Sequence, residues 1–163
     1  MGNQYTTAGT KVFIGTTQSP KNADFVAADF TSVTWTEITG LESIGSFGDT
    51  SAEVTFDDIG KGRTVKLKGT RNAGNMDLVM SIDYADPGQI AVLAAEKTPF
   101  DYAFKVEFTD KPPTGGSPKN STRMFIGKVM SAGEALDTAN SVMKMTCSIG
   151  INSNIVKVAA SAT

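Results

Sequence analysis

The chain has 163 residues, with 22 Val plus Ile against 5 Leu, 33 Ser plus Thr, 16 Gly and no His. One domain is expected at roughly 100–200 residues per domain, and the excess of β-branched residues favours strands over helices. Fifteen basic residues against 17 acidic ones, a net charge of −2 with no basic block, argue against a duplex-binding protein.

The first ten residues are polar and uncharged and lack the hydrophobic core of a signal peptide. Gly2 with Thr6 fits an acylation pattern, but one so short that chance matches are frequent. Lys11 to Thr17 opens a two-residue alternation, the mark of a strand buried on one face. A polar connection from Gln18 to Ser32 leads to a short strand, Thr34 to Ile38, anchored by Trp35. Ser51 to Phe56 and Arg63 to Gly69 alternate cleanly, with Ala52, Val54, Phe56, Val65 and Leu67 on the apolar side. Residues 57–62 join them as a hairpin loop longer than tight turns prefer, and Thr70 to Asn75 reads as a further connection.

Met76 to Tyr84 is the longest clean strand, with Asp77, Ser81 and Asp83 on its polar side. The period then changes. Asp86-Pro87-Gly88-Gln89 is a helix start, with Asp as cap, Pro at the first helical position and Gln at the capping-box position. Ile90, Leu93, Ala94 and Lys97 follow at helical spacing until Pro99. Three more strands are predicted over 102–109, 122–130 and 141–151, with a Pro/Gly loop from Lys111 to Asn120 between the first two. Asn152 to Thr163 is a small-residue tail. This order predicts a mainly β protein, an antiparallel β-sandwich or partial barrel with one flanking helix, as a single domain over 1–163.

Catalytic and ligand motifs are scarce. The missing histidine removes the commonest general base, metal ligand and nucleophile partner together. Cys147 lies in an apolar stripe and reads as a buried, inert thiol. Asp57 and Asp58 face opposite ways on an extended chain, which suits a solvated turn better than paired acid–base work. Gly40-Leu41-Glu42-Ser43-Ile44-Gly45 misses the nucleophile-elbow spacing by one residue, and Gly60-Lys61-Gly62-Arg63-Thr64 lacks the phosphate-loop spacing. Most methionines fall on apolar strand faces and read as core. No apolar stretch approaches the ~20 residues of a spanning helix, so no membrane insertion is expected. Neither catalysis nor a cofactor or metal is expected. What remains is long connections, two arms and open sheet edges, the features of a self-assembling protein.

Several ordered patterns carry a resemblance. They are Trp35-x-x-Ile38-x-Gly40-Leu41-x-Ser43-Ile44-Gly45-x-Phe47-Gly48, then Val54-Thr55-Phe56-Asp57-Asp58 and Val65-Lys66-Leu67-Lys68-Gly69. Asp86-Pro87-Gly88-Gln89, Phe125-x-Gly127-x-Val129 and Ile149-Gly150-Ile151 complete the set. Together they resemble the major tail tube protein of long-tailed, non-contractile (siphovirus-like) bacteriophages. The resemblance implies the phage tail-tube fold, made in the host cytoplasm and assembled into the virion tail. It implies six-membered rings stacked as a hollow tube around a tape-measure protein, bounded by tail terminator and baseplate or distal tail proteins, through which phage DNA passes without specific binding.

By the same resemblance, the N-terminal arm (about 1–9), the hairpin region (about 57–75) and the C-terminal arm (about 152–163) reach the next ring. Asp57, Asp58, Ile59, Lys61, Arg63, Arg71 and Asn72 are then the inter-ring candidates. An acidic bore, which repels phosphate, makes Glu53, Asp77 and Asp83 the lumen-facing candidates. A tube of a contractile tail or secretion-like system stays open, as does a monomeric carbohydrate- or peptide-binding sandwich.

Overall fold

The alternating segments become strands whose apolar sides meet in one interior. The computed structural model describes residues 3–163, so Gly2 of the acylation pattern and the start of the N-terminal arm lie outside it. In chain order the strands are β1 (Lys11–Thr17), β2 (Thr36–Ile38), β3 (Leu41–Ser43), β4 (Thr50–Asp58), β5 (Arg63–Asn72) and β6 (Asn75–Ser81). Helix α1 (Pro87–Glu96) follows, then β7 (Tyr102–Glu107), β8 (Thr122–Ala135), β9 (Lys144–Ile151) and β10 (Val156–Val158). The mainly β, antiparallel architecture with one helix is as the composition predicts.

The main sheet runs β2-β1-β7-β8-β9-β6-β3, with β10 added alongside β8. Its two end strands, β2 and β3, are consecutive in sequence and joined only by Thr39 and Gly40. The sheet must therefore curl until its edges stand within a few residues of chain, giving a partial barrel. Inside lie Val12, Ile14, Met76, Leu78, Met80, Phe104, Phe125, Cys147 and Ile149, each at most 2% exposed. A second, smaller core forms outside β7 and β8, where the 18–35 connection folds Phe25, Phe30 and Val33 over Ala103, Met124 and Ile126. Met76, Met80, Met124 and Met145 are core, whereas Met130 and Met143 are exposed. Cys147 is fully buried, and that burial, helped by the nearby Asp77 carboxylate, pushes its thiol up to about 12.

Helix α1 closes the barrel over β8, β2 and β1. The cap is as predicted: the Asp86 carboxylate accepts the Gln89 N–H at 2.8 Å, and Pro87 starts the helix. The inward face differs. Gly88, Gln89, Val92 and Ala95 are buried, while Ile90 is 50% exposed. Gly88 dictates this orientation, since a Cβ there would stand 2.1 Å from the Glu37 carbonyl oxygen of β2. The helix thus rests directly on the β2 backbone, which turns the apolar positions Ile90 and Ala94 outward.

The strands expected over 34–38, 102–109 and 141–151 are shorter, over 36–38, 102–107 and 144–151, and three further boundaries move for local reasons. The strand predicted to Tyr84 ends at Ser81, because the Asp83 carboxylate accepts the Ala85 N–H at 2.9 Å and turns the chain toward the helix cap. The strand predicted to Met130 continues to Ala135. A bulge between Val129 and Ser131 advances the alternation by one, so the pattern breaks although the pairing with β9 goes on. The connection predicted over 70–75 is mostly strand, since β5 runs to Asn72 and β6 begins at Asn75.

The tail beyond Asn152 is laced onto its own chain. Asn154 holds the Phe25 backbone at 2.7 and 2.9 Å, β10 pairs with β8, and Ser161 bridges to Lys119.

Asp86 also sets an acid limit. Burial pushes its carboxyl up, but hydrogen bonds from Thr39 and Gln89 outweigh this and hold it below the usual carboxylate value of 3.8. A depressed carboxyl contributes stability that is complete above the unfolded value and is lost as pH falls through the folded one. Thermal melts from pH 6 downward should show the parent losing stability below about pH 4. Asp86→Asn should be less stable at neutral pH and show a shallower acid decline.

Candidate functional site

Strands β4 and β5 pair only with each other, as a two-stranded sheet separate from the barrel. Alternation puts Val54 opposite Leu67 and Phe56 opposite Val65 on one face, with Glu53, Thr55, Lys66 and Lys68 on the other. In a barrel strand the apolar face would be covered. Here Val54, Phe56, Val65 and Leu67 are 46, 60, 37 and 54% exposed, and Ile59 at the tip is fully exposed. A contiguous apolar face of this kind on an otherwise ordinary surface marks an interaction site.

The seven residues predicted as inter-ring contacts divide into two groups. Asp57, Asp58, Ile59, Lys61 and Arg63 gather at the hairpin tip. There Asp57 accepts the Thr64 hydroxyl at 2.7 Å, Asp58 accepts the Gly60 N–H at 2.9 Å, and Lys61 stands 3.8 Å from Asp58. Arg71 and Asn72 sit at the hairpin base, where Arg71 pairs with Asp49 at 2.9 Å and Asn72 accepts the Gly74 N–H at 2.8 Å. Strand β5 separates the groups by about 30 Å at 3.3 Å per residue. The apolar stripe along the hairpin was absent from the predicted contacts. Its signal was present as clean alternation, which reads the same whether a strand packs in a core or stands free.

The three predicted lumen residues also fall on three different elements. Glu53 is on the hairpin, paired with Lys66 at 3.2 Å. Asp83 lies in the turn before α1, beyond the end of β6. Asp77 alone sits on the main sheet, on the outward face of β6 opposite Ser148 of β9. Around it that face exposes Thr146, Ser131 and Gly133 on β9 and β8, interrupted by the half-buried Val79 and the exposed Met130. None of the described residues straps over it, in contrast to the face of β7 covered by the 18–35 connection. Among the described residues no three acidic or thiol groups gather closely enough to hold a metal ion.

No protein-family model matches this chain, and no curated protein does so either. Solved structures do. A chain of the anti-feeding prophage baseplate superposes with a TM-score of 0.68 at 12% identity, covering 98% of both chains. A chain from the sheath/tube terminator of PVC, an extracellular contractile injection system, gives 0.67 at 12% identity, covering 97% of this chain and 99% of that one. A chain of the SPP1 tail tube gives 0.59 at 14% identity, covering 92% of this chain and 76% of that one. The barrel, its capping helix and the projecting hairpin together therefore make the fold found in a phage tail tube and in contractile injection systems.

Proposed function

We propose that this chain is a structural subunit of a phage tail tube, assembling as hexameric rings that stack into a hollow conduit for the genome. The observation that carries this reading is the hairpin whose apolar face has no partner among the described residues of one copy, on a fold shared with the SPP1 tail tube. A neighbouring copy would cover that face. The hairpin tip, the hairpin base and the N-terminal segment are the inter-ring elements. The C-terminal segment reaches the next ring only from where it lies bound along its own copy. The open outer face of β6, β9 and β8 lines the bore. Asp77 gives that lining a negative charge, which keeps DNA phosphates from adhering at short range. A tape-measure protein within the tube, and terminator and baseplate proteins at its ends, are the further partners. No step in this role calls for a catalytic group.

A non-contractile tail is the first form of the reading. A tube from a contractile system is the second, favoured by the near-complete mutual coverage of the injection-system chains against 76% of the SPP1 chain. Negative-stain microscopy of the purified protein with a tail-initiation complex should show tubes of uniform width. A protein that stays monomeric under those conditions defeats the proposal, and a contractile sheath on native particles selects the second form. Asp77→Lys should leave tubes intact yet lower DNA delivery; unchanged infectivity would remove Asp77 from the bore.

A further inference from the structure

Two unpartnered apolar surfaces lie at opposite ends of strands β6 and β9. The hairpin springs from the end where Asn75 pairs with Gly150. At the other end, where Ser81 pairs with Lys144, Tyr84, Leu136, Val142 and Met143 are 63, 56, 62 and 51% exposed. They form one surface. The Ile82 N–H donates to the Met143 carbonyl at 3.0 Å, and the Tyr84 hydroxyl donates to Glu134 at 2.8 Å. The intervening seven residues of β6 span about 20 Å.

The unpaired charges beside the two apolar surfaces are opposite. Among the described residues, Arg63, on the same side of the hairpin as Val65 and Leu67, has no carboxylate partner. Asp83, Glu134 and Asp137 at the far end have no cationic partner. Two copies of the far surface facing each other would bring three acidic groups against three. The apolar side of the hairpin facing it brings Arg63 to those anions and one apolar face to another. Such a contact joins unlike surfaces, so it is head-to-tail and repeats from copy to copy.

We infer that the surface of Tyr84, Leu136, Val142 and Met143 receives the apolar face of the β4–β5 hairpin from the next copy along the tube. This rests on the tube reading and specifies which surface of the neighbour the hairpin meets.

The test uses two full-length variants with changes at exposed positions, Phe56→Asp on the hairpin and Val142→Asp with Met143→Asp on the receiving surface. Thermal melts matching the parent establish that both fold. Each variant alone should need about ten- to a hundredfold more protein to assemble, the loss expected from failing to bury one or two large apolar side chains. Mixed in equal amounts, each supplies the surface the other lacks. Sedimentation should then show a single species of twice the starting unit that grows no further.

If the parent forms tubes and the Val142→Asp, Met143→Asp variant assembles equally well, the hairpin docks elsewhere and the inference falls while the tube reading stands. A mixture that makes no larger species overturns it as well. A parent that never assembles removes the tube reading and this inference with it. Should an apolar variant fail to fold, Glu134→Lys with Asp137→Lys decides the matter. It should weaken assembly and regain it when mixed with Arg63→Glu protein; no regain overturns the inference.

Discussion

Phe125→Ala should lower the free energy of unfolding by about 3–5 kcal/mol, the usual range for deleting a fully buried Phe ring. Phe125 is completely buried, directly opposite Phe104 across the β7–β8 pair. Its ring stacks on Phe104 at 5.9 Å between centroids and meets Phe47 at 6.2 Å. The backbones of two central strands hold the neighbours in place, so the site cannot collapse to refill the space. Urea unfolding with an unchanged m-value checks the number. A loss below about 1 kcal/mol, the size of one or two methylene groups, would mean that Phe125 is not a centre of the core.

Gln89→Leu should cost about 3 kcal/mol or more, although it adds apolar volume to an apolar interior. Gln89 is 2% exposed. Its side-chain amide donates to the Thr39 carbonyl at 3.0 Å and to the Ser81 carbonyl at 2.8 Å, and its oxygen accepts the Asp83 N–H at 3.0 Å. One side chain thus ties the helix to the junction of β2 and β3 and to the end of β6. Leucine would remove the partner of three part-buried backbone groups, a loss of about 1 kcal/mol for each hydrogen bond. Over a chain of this size the melting temperature should fall by about 10 °C.

Gln89→Glu separates hydrogen bonding from volume. At neutral pH its carboxylate would face two carbonyl oxygens, whereas the protonated acid can donate to one of them. Its folded pKa should therefore be raised, and the variant should regain stability relative to the parent as pH falls through that value. A variant whose deficit is independent of pH would show that shape, not donors, matters at this position.

Local chemistry made much of the fold readable. Asp86, Pro87 and Gln89 announce the helix start because capping depends on residues within one turn. The alternation of β1, β4, β5, β6, β7 and β9 announces strands for the same reason. The bulge at Val129–Ser131 hid the second half of β8, since one extra residue reverses every later side chain. Strands β3 and β10 are three residues long and exist through their partners, Leu41 and Ser43 on β6 and Val156–Val158 on β8. No window of that length carries its own signal. Gln89 announced itself as a capping-box residue, yet its side chain serves Thr39 and Ser81, which are 50 and 8 residues away.

The candidate contact residues show the same division. The sequence located the hairpin tip, and a resemblance supplied its role, but Arg71 and Asn72 proved to belong to the base, about 30 Å along β5. Val54, Phe56, Val65 and Leu67 were visible as an apolar face with no sign that the face was bare. Asp77, Asp83 and Glu53 looked comparable as acidic residues on or near strands, and only Asp77 lies on the open face of the main sheet.

By itself, then, the sequence determined the mainly β class, the single helix with its cap, and an inventory without histidine. These follow from composition and from periodicities that act within a few residues. Which apolar faces are covered was decided only by the tertiary structure, because burial depends on what the rest of the chain brings alongside. The barrel interior receives partners for its alternating faces from distant strands. The β4–β5 hairpin, with the same alternation, receives none from the described residues, and that difference leaves its apolar face bare.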